Sequence, residues 1–294
     1  MVDRRDIVSR AWDGVRREQV WGLSLLVAIV ALPIAWAIGY AALYSVGAIG
    51  LLSDGVTWRH WSAVLSSHVL SETIGYSMVI AGISTGLAVS AALVFVLSYP
   101  RWRLSRWRMS LLVVPLATPA AVVALVTYQV LNPGGLLARF VFALGWIKSP
   151  SDFPPLVNDP WSIGLVTAQT ATSFPLLVLF LLKSWTSGQI DRYCGLAESL
   201  GASLWEARRQ VALPMLVSRL RPLILFTFLV NLGAYELPLV LGRQAPQMFS
   251  VLTQRRFGLF DLAQRPQAFV LALIYLVLVS LGAMVLVIAR RPAR

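Results

Sequence analysis

Residues 191 to 216 read Asp191-Arg-Tyr-Cys-Gly-Leu-Ala-Glu-Ser-Leu-Gly-Ala-Ser-Leu-Trp-Glu-Ala-Arg-Arg-Gln-Val-Ala-Leu-Pro-Met-Leu216. Two short helical patterns flank Gly201, where a glycine can adopt the left-handed conformation that closes a helix. Ser203 is placed to cap the next helix, and Glu206 three residues on completes a capping box. Within that second helix Leu204, Arg208 and Val211 fall on one face, with Trp205 beside it. Leu213-Pro214 then leads the chain back toward the bilayer. The spacing therefore predicts a helical elbow, the centre of a polar loop spanning about 184–221.

On both sides of that loop the chain is far too apolar for a water-soluble fold. Of its 294 residues 57% are hydrophobic and only 13% charged, against about 25% charged in a typical soluble domain, and the mean hydropathy is +0.72. Crossing ~30 Å of hydrocarbon takes about 20 apolar residues. Six runs qualify, at approximately 21–45, 71–98, 109–131, 161–182, 222–242 and 267–289. The fold class expected is all-α, a polytopic integral membrane protein whose transmembrane domain occupies 21–289. The first run exceeds the ~7–15 residues of a signal-peptide core and no cleavage site follows it, so it reads as a retained helix. Eleven Trp and sixteen Pro suit such a chain, with aromatic rings at the interfaces and helix breaks tolerated between neighbours. A single cysteine, Cys194, excludes an intramolecular disulfide.

The net charge of +12 is distributed as a topology signal. With six spans both termini share a side, and that side holds eighteen of the 25 basic residues against seven acids. Short basic loops mark the cytoplasmic face, so the amphipathic segment 1–20, the loop 184–221 and the tail 290–294 are predicted cytoplasmic, next to anionic lipid head groups. A nucleic-acid partner is not expected from this pattern. On the other side, Trp58, Trp61, Trp146 and Trp161 are candidate interface residues, and Asn132-Pro133-Gly134-Gly135 is a turn.

Polar residues inside spans mark pathways or interhelical bonds. Asn231, Tyr235 and Glu236 lie in the fifth run, followed by Pro238. A carboxylate deep in a helix costs about +2.5 to +3.5 kcal/mol, which makes Glu236 a translocation-pathway candidate or, alternatively, a snorkelling residue near the outer interface or an ion-pair partner of Arg243. Gln129, Gln169 and Thr118 can line the same path or act as interhelical glue. Pro115, Pro119 and Pro175 are candidate bends. His60 and His68 are the only histidines and make no metal site with the residues around them, so no metal is assigned.

The elbow resembles the EAA motif of binding-protein-dependent ABC importer permeases: Glu-Ala-Ala, three residues, Gly, nine residues, Ile, one residue, Leu-Pro. Gly201, Val211, Leu213 and Pro214 fall at the matching spacings, whereas Gly195, Leu196 and Ala197 hold the Glu-Ala-Ala positions, with Glu198 beside them. The resemblance implies a type I ABC importer permease fold. It also implies that an ABC ATPase subunit docks on Gly195, Ala197, Glu198, Gly201, Ser203, Trp205, Glu206, Arg208, Val211, Leu213 and Pro214. It further implies a second permease subunit, with a heterodimer favoured, an extracytoplasmic substrate-binding protein and a bacterial inner-membrane location. The chain has no phosphate-binding Gly-x-x-x-x-Gly-Lys-Ser/Thr loop, so it is not expected to be an enzyme, it needs no cofactor of its own, and ATP belongs to the ATPase partner. The segment Leu232–Gly242, with Arg255-Arg256 and Leu262–Pro266, is similar to spermidine/putrescine-type permeases, a subgroup that also resembles carriers of ferric iron, phosphonates and thiamine. Two other classes compete: a secondary transporter would show inverted repeats or several ionisable groups in its spans, and a membrane enzyme would cluster His, Asp or Cys at one interface.

Overall fold

The computed structural model describes residues 27–50, 55–98, 106–259 and 261–289, all helix, turn and loop without a strand among them. The segments 1–20 and 290–294, and the first residues of the run expected at 21–45, lie outside the described residues. Six helical runs are long and apolar enough to cross a membrane: Val27–Ser45, His68–Ser98, Ala120–Ala143, Ile163–Ser187, Leu204–Gly233 and Leu262–Val285. The chain is thus a multi-pass, all-helical membrane protein. Its residues fall into two compact units, one drawn from Met1–Ser66 and Arg256–Ile274, the other from Ser67–Arg255 and Tyr275–Arg294.

In the first unit α1 (Val27–Ser45) leaves Leu32 and Trp36 exposed, as a helix solvated by lipid should. Its end is anchored by aromatic contacts, with the Tyr44 ring 4.5 Å from that of Phe269. The indole of Trp61, on α2 (Arg59–Leu65), donates to Ser45 Oγ at 3.2 Å.

The second unit is organised by α3 (His68–Ser98). Ala81, Ser84, Ala88 and Ala92 are all fully buried along it. Their spacing of three or four residues puts them in one stripe, and small side chains let helices approach closely where no hydrophobic effect drives them together. Against it lie Leu177, Val178 and Leu181 of α7 (Ile163–Ser187) and Leu216 and Leu220 of α10 (Leu213–Gly233). The N-terminus of α7 is held by Asp159, which accepts from the amides of Trp161 and Ile163. Its early turn needs Gly164, because a Cβ there would meet the Leu156 carbonyl oxygen at 2.5 Å.

Two spans differ from the expectation. The run 109–131 is divided into α4 (Arg106–Ala117) and α5 (Ala120–Leu131), because Pro119 has no N–H for the carbonyl of Pro115. α6 (Leu136–Ala143) follows the turn at 132–135. The fifth run, expected at 222–242, is a helix that begins earlier and ends at Gly233. After a break at Ala234-Tyr235 the short α11 (Glu236–Leu241) resumes. Pro238 has no N–H for the Ala234 carbonyl, and the Ser250 hydroxyl donates to that carbonyl instead, at 2.5 Å. Pro175, in contrast, sits inside an unbroken α7. Two further helices close the chain, α12 (Phe249–Phe257) and α13 (Arg265–Ala289).

Candidate functional site

The elbow forms as its local chemistry requires. α8 (Ile190–Ser199) is closed by Gly201, whose φ of +96° places it where side chains are rarely tolerated. The amides of Gly201 and Ala202 bond back to the carbonyls of Glu198 and Ala197. α9 (Leu204–Ala207) starts with the expected capping box: Ser203 Oγ accepts from the Glu206 amide at 3.3 Å, and Glu206 Oε2 accepts from the Ser203 amide at 2.8 Å.

Leu213-Pro214 leads into the fifth span, as expected, but without a bend. A wider π turn at Arg208–Ala212 joins α9 to α10, so one continuous rod runs from the elbow into the fifth span. Pro214 has no N–H for the carbonyl of Gln210, and a widened turn ahead of it absorbs the lost bond. The regular face expected for Leu204, Arg208 and Val211 is interrupted by this turn. Arg208 instead reaches across to α3 and donates to the Leu97 carbonyl at 3.1 Å, a cation on the negative end of a helix.

The elbow has two distinct sides. Its underside is core: Ile190, Cys194, Ala207 and Ala212 are buried in one cluster with Val96 and Trp185, and the Trp185 indole donates to Asp191 Oδ1 at 2.8 Å. Burial, reinforced by the charges of Asp191 and Glu198, raises the Cys194 thiol above its ordinary pKa, while Arg208 acts in the opposite direction. The outer side is an apolar crest of Tyr193, Leu196, Leu200, Leu204 and Trp205, with Leu200 89% and Trp205 66% exposed. Of the residues the resemblance assigned to docking, Gly195, Glu198, Gly201, Ser203, Trp205, Glu206 and Pro214 are exposed. Ala197, Arg208, Val211 and Leu213 are half-buried.

The pathway candidates separate into three groups. Asn231 and Gln169 are sealed inside the packing, at 3% and 0% exposure. Asn231 Nδ2 donates to Thr85 Oγ1 on α3 at 3.1 Å, and its Oδ1 accepts from Ser173 on α7 at 3.2 Å. Gln169 Nε2 donates to the Asn231 carbonyl at 3.1 Å. These two residues tie α3, α7 and α10 together, which for Gln169 is the interhelical alternative given above. Gln129 is exposed on α5.

Tyr235 and Glu236 sit at the break after α10 and are both exposed, so the expectation of a carboxylate inside an unbroken helix is corrected. Arg243 is engaged elsewhere. Its Nε and Nη1 donate to the carbonyls of Pro246 and Pro160, each at 3.3 Å, and its guanidinium lies 4.4 Å over the Tyr76 ring.

A cavity of about 430 Å³ opens beside this break, lined by Tyr235, Pro238, Leu239, Arg243, Gln244, Gln247, Val251, Gln254 and Arg255. The sequence reading did not single it out. Its signal was available as five guanidinium and carboxamide residues within thirteen positions, between two apolar runs. Among the described residues no cluster of His, Cys, Asp or Glu could hold a metal.

These features define a class: the chain has the fold of the membrane-spanning chains of bacterial ABC importers. It superposes on a chain of a bacterial ABC transporter involved in the import of the acidic polysaccharide alginate, with a TM-score of 0.61, 16% identity and coverage of 97% of this chain and 100% of that one. For the alginate ABC transporter in complex with alginate pentasaccharide-bound periplasmic protein, the TM-score is 0.67 at 14% identity, covering 97% of each chain. In sequence it is similar to the inner membrane ABC transporter permease protein YnjC of Escherichia coli (strain K12), 24% identical over 238 residues that make up 79% of this chain. The matched region spans 44% of that relative's length. No protein-family model matches the chain.

Proposed function

We propose that this chain is the permease subunit of an ATP-driven importer in a bacterial inner membrane, contributing half of the pathway for a small solute. Its termini and the elbow face the cytoplasm. An ABC ATPase docks on the elbow at residues 195–214 and supplies all of the nucleotide chemistry, so this chain is a transport subunit and not an enzyme. A second permease chain completes the pathway, and an extracytoplasmic binding protein delivers the solute. The similarity to an ABC transporter permease supports this reading, as does a fold neighbour captured with a periplasmic protein.

The observation that carries the proposal is the crest. Five large apolar side chains protrude from a segment whose other side is locked into the core, and an exposed apolar patch on a rigid support is the mark of a docking surface. Arg208 and the continuous α9–α10 rod give that surface a stiff connection to α3 and α10. No solute is assigned from Glu236: the polyamine-type expectation rested on the similarity of Leu232–Gly242, Arg255-Arg256 and Leu262–Pro266, and the carboxylate that would have suited a cation if buried is exposed.

Two measurements test the reading. Affinity purification of the detergent-solubilised chain from its native membrane should bring an ABC ATPase with it. In a Cys194→Ser background, Ser203→Cys should react with a membrane-impermeant maleimide only when the cytoplasmic face is opened. Labelling of Ser203→Cys from the periplasm of intact cells would refute the orientation, and with it the coupling role.

A further inference from the structure

The cavity at the break after α10 carries positive charge and no negative charge. Two guanidinium groups, of Arg243 and Arg255, line it together with the carboxamides of Gln244, Gln247 and Gln254, the Tyr235 ring and apolar side chains of α11 and α12. No Asp or Glu is among the lining residues. Glu236, although next in sequence to Tyr235, is not one of them either. Its volume of about 430 Å³ falls in the range of roughly 300–1,000 Å³ typical of small-molecule sites.

The two arginines differ in how they are held. Arg243 is fixed by two backbone carbonyls and by the Tyr76 ring, so its charge is presented in a set orientation. Arg255 is exposed on α12 and free to close over an occupant. Guanidinium groups match anionic oxygens through paired N–H donors, and a cavity of this sign repels ammonium groups. The carboxamides of Gln244, Gln247 and Gln254 add neutral polar groups to the lining, which can hydrogen-bond an anion's oxygens without adding negative charge.

We infer that this cavity binds a small anion, with a carboxylate or phosphate facing Arg243 and Arg255. The inference deepens the importer reading by naming the chemical class of its solute and relies on that reading only for the physiological role. It is the opposite of what a polyamine permease would present at this site.

The test uses the full chain in detergent, with thermal unfolding followed by tryptophan fluorescence at constant ionic strength. Glucuronate and glycerol 3-phosphate are titrated in separate arms, and spermidine in a third. A saturable rise in Tm with either anion supports the site, and which of the two responds shows whether the anionic group is carboxylate or phosphate. Arg255→Gln, at an exposed position, should leave the unliganded Tm unchanged. It should raise the half-saturating anion concentration about tenfold, as expected for losing one charge-assisted bond. A response to spermidine but to neither anion overturns the proposal, as does no response at all or an anion response unchanged in Arg255→Gln. Probing the same preparation for the co-purified ATPase keeps the two ideas separate: a bound ATPase with a silent cavity refutes the site and leaves the permease reading standing.

Discussion

The elbow and the cavity are both parts of the second unit, yet they are built by different rules. The backbone course of the elbow is set locally, by a glycine at positive φ, a serine and a glutamate three residues apart and a proline after a widened turn, with Arg208 then tying it to the Leu97 carbonyl 111 positions away. The cavity draws on a helix break, a short helix, a loop and a second helix, and one of its arginines is held by the Pro160 carbonyl 83 positions away in sequence. A docking surface can be specified by a short rigid motif. A site that must fit a solute is assembled from separate segments, each free to vary.

If that contrast is correct, substitutions on the elbow's crest should destroy an interaction without disturbing the fold. Trp205→Asp places a charge on the most aromatic part of the crest, where a buried anchor is worth about 2 kcal/mol or more. ATPase recovered in a pull-down should fall at least about tenfold, while the melting temperature of the isolated chain stays the same. A fall in that melting temperature would mean that the crest belongs to the fold, and the contrast would fail. Asn231→Leu should behave in the opposite way. It removes the links to Thr85 and Ser173, and buried interhelical bonds of this kind contribute about 1–2 kcal/mol in a membrane protein. Thermal unfolding in detergent should detect the loss, with ATPase recovery unaffected.

The same contrast explains what could be read from the sequence. Six spans, the glycine closure and the Ser203–Glu206 capping box follow from periodicity and from residues at most four positions apart, so a linear reading finds them. The break after Gly233 also depends on Ser250 meeting the Ala234 carbonyl, sixteen residues away. Pro238 was visible, but a proline in a span signals either a bend or a break, and Pro175 within α7 shows the first outcome. Asn231 and Gln169 show a related ambiguity. Hydropathy flags an intramembrane amide without revealing whether it faces a path or another helix, and only the partners, Thr85 and Ser173, decide that. Glu236 was misplaced because the fifth span was drawn as one helix, and once the helix ends at Gly233 the carboxylate falls outside it.

The smallest expected effect is also the most local one. Ser203→Ala removes the hydroxyl that accepts from the Glu206 amide but not the backbone closure at Gly201. A lost N-cap costs about 1 kcal/mol, and here it should be confined to the first turn of α9. Hydrogen exchange should therefore accelerate at the amides of residues 205–207 by about fivefold, the rate equivalent of that energy. Exchange at Thr227 and Asn231, on the same continuous rod but past the π turn, should not change. Acceleration that spread along α10 would show that the cap and the span unfold as one unit, and that the π turn at Arg208–Ala212 transmits disorder where a locally built elbow should stop it.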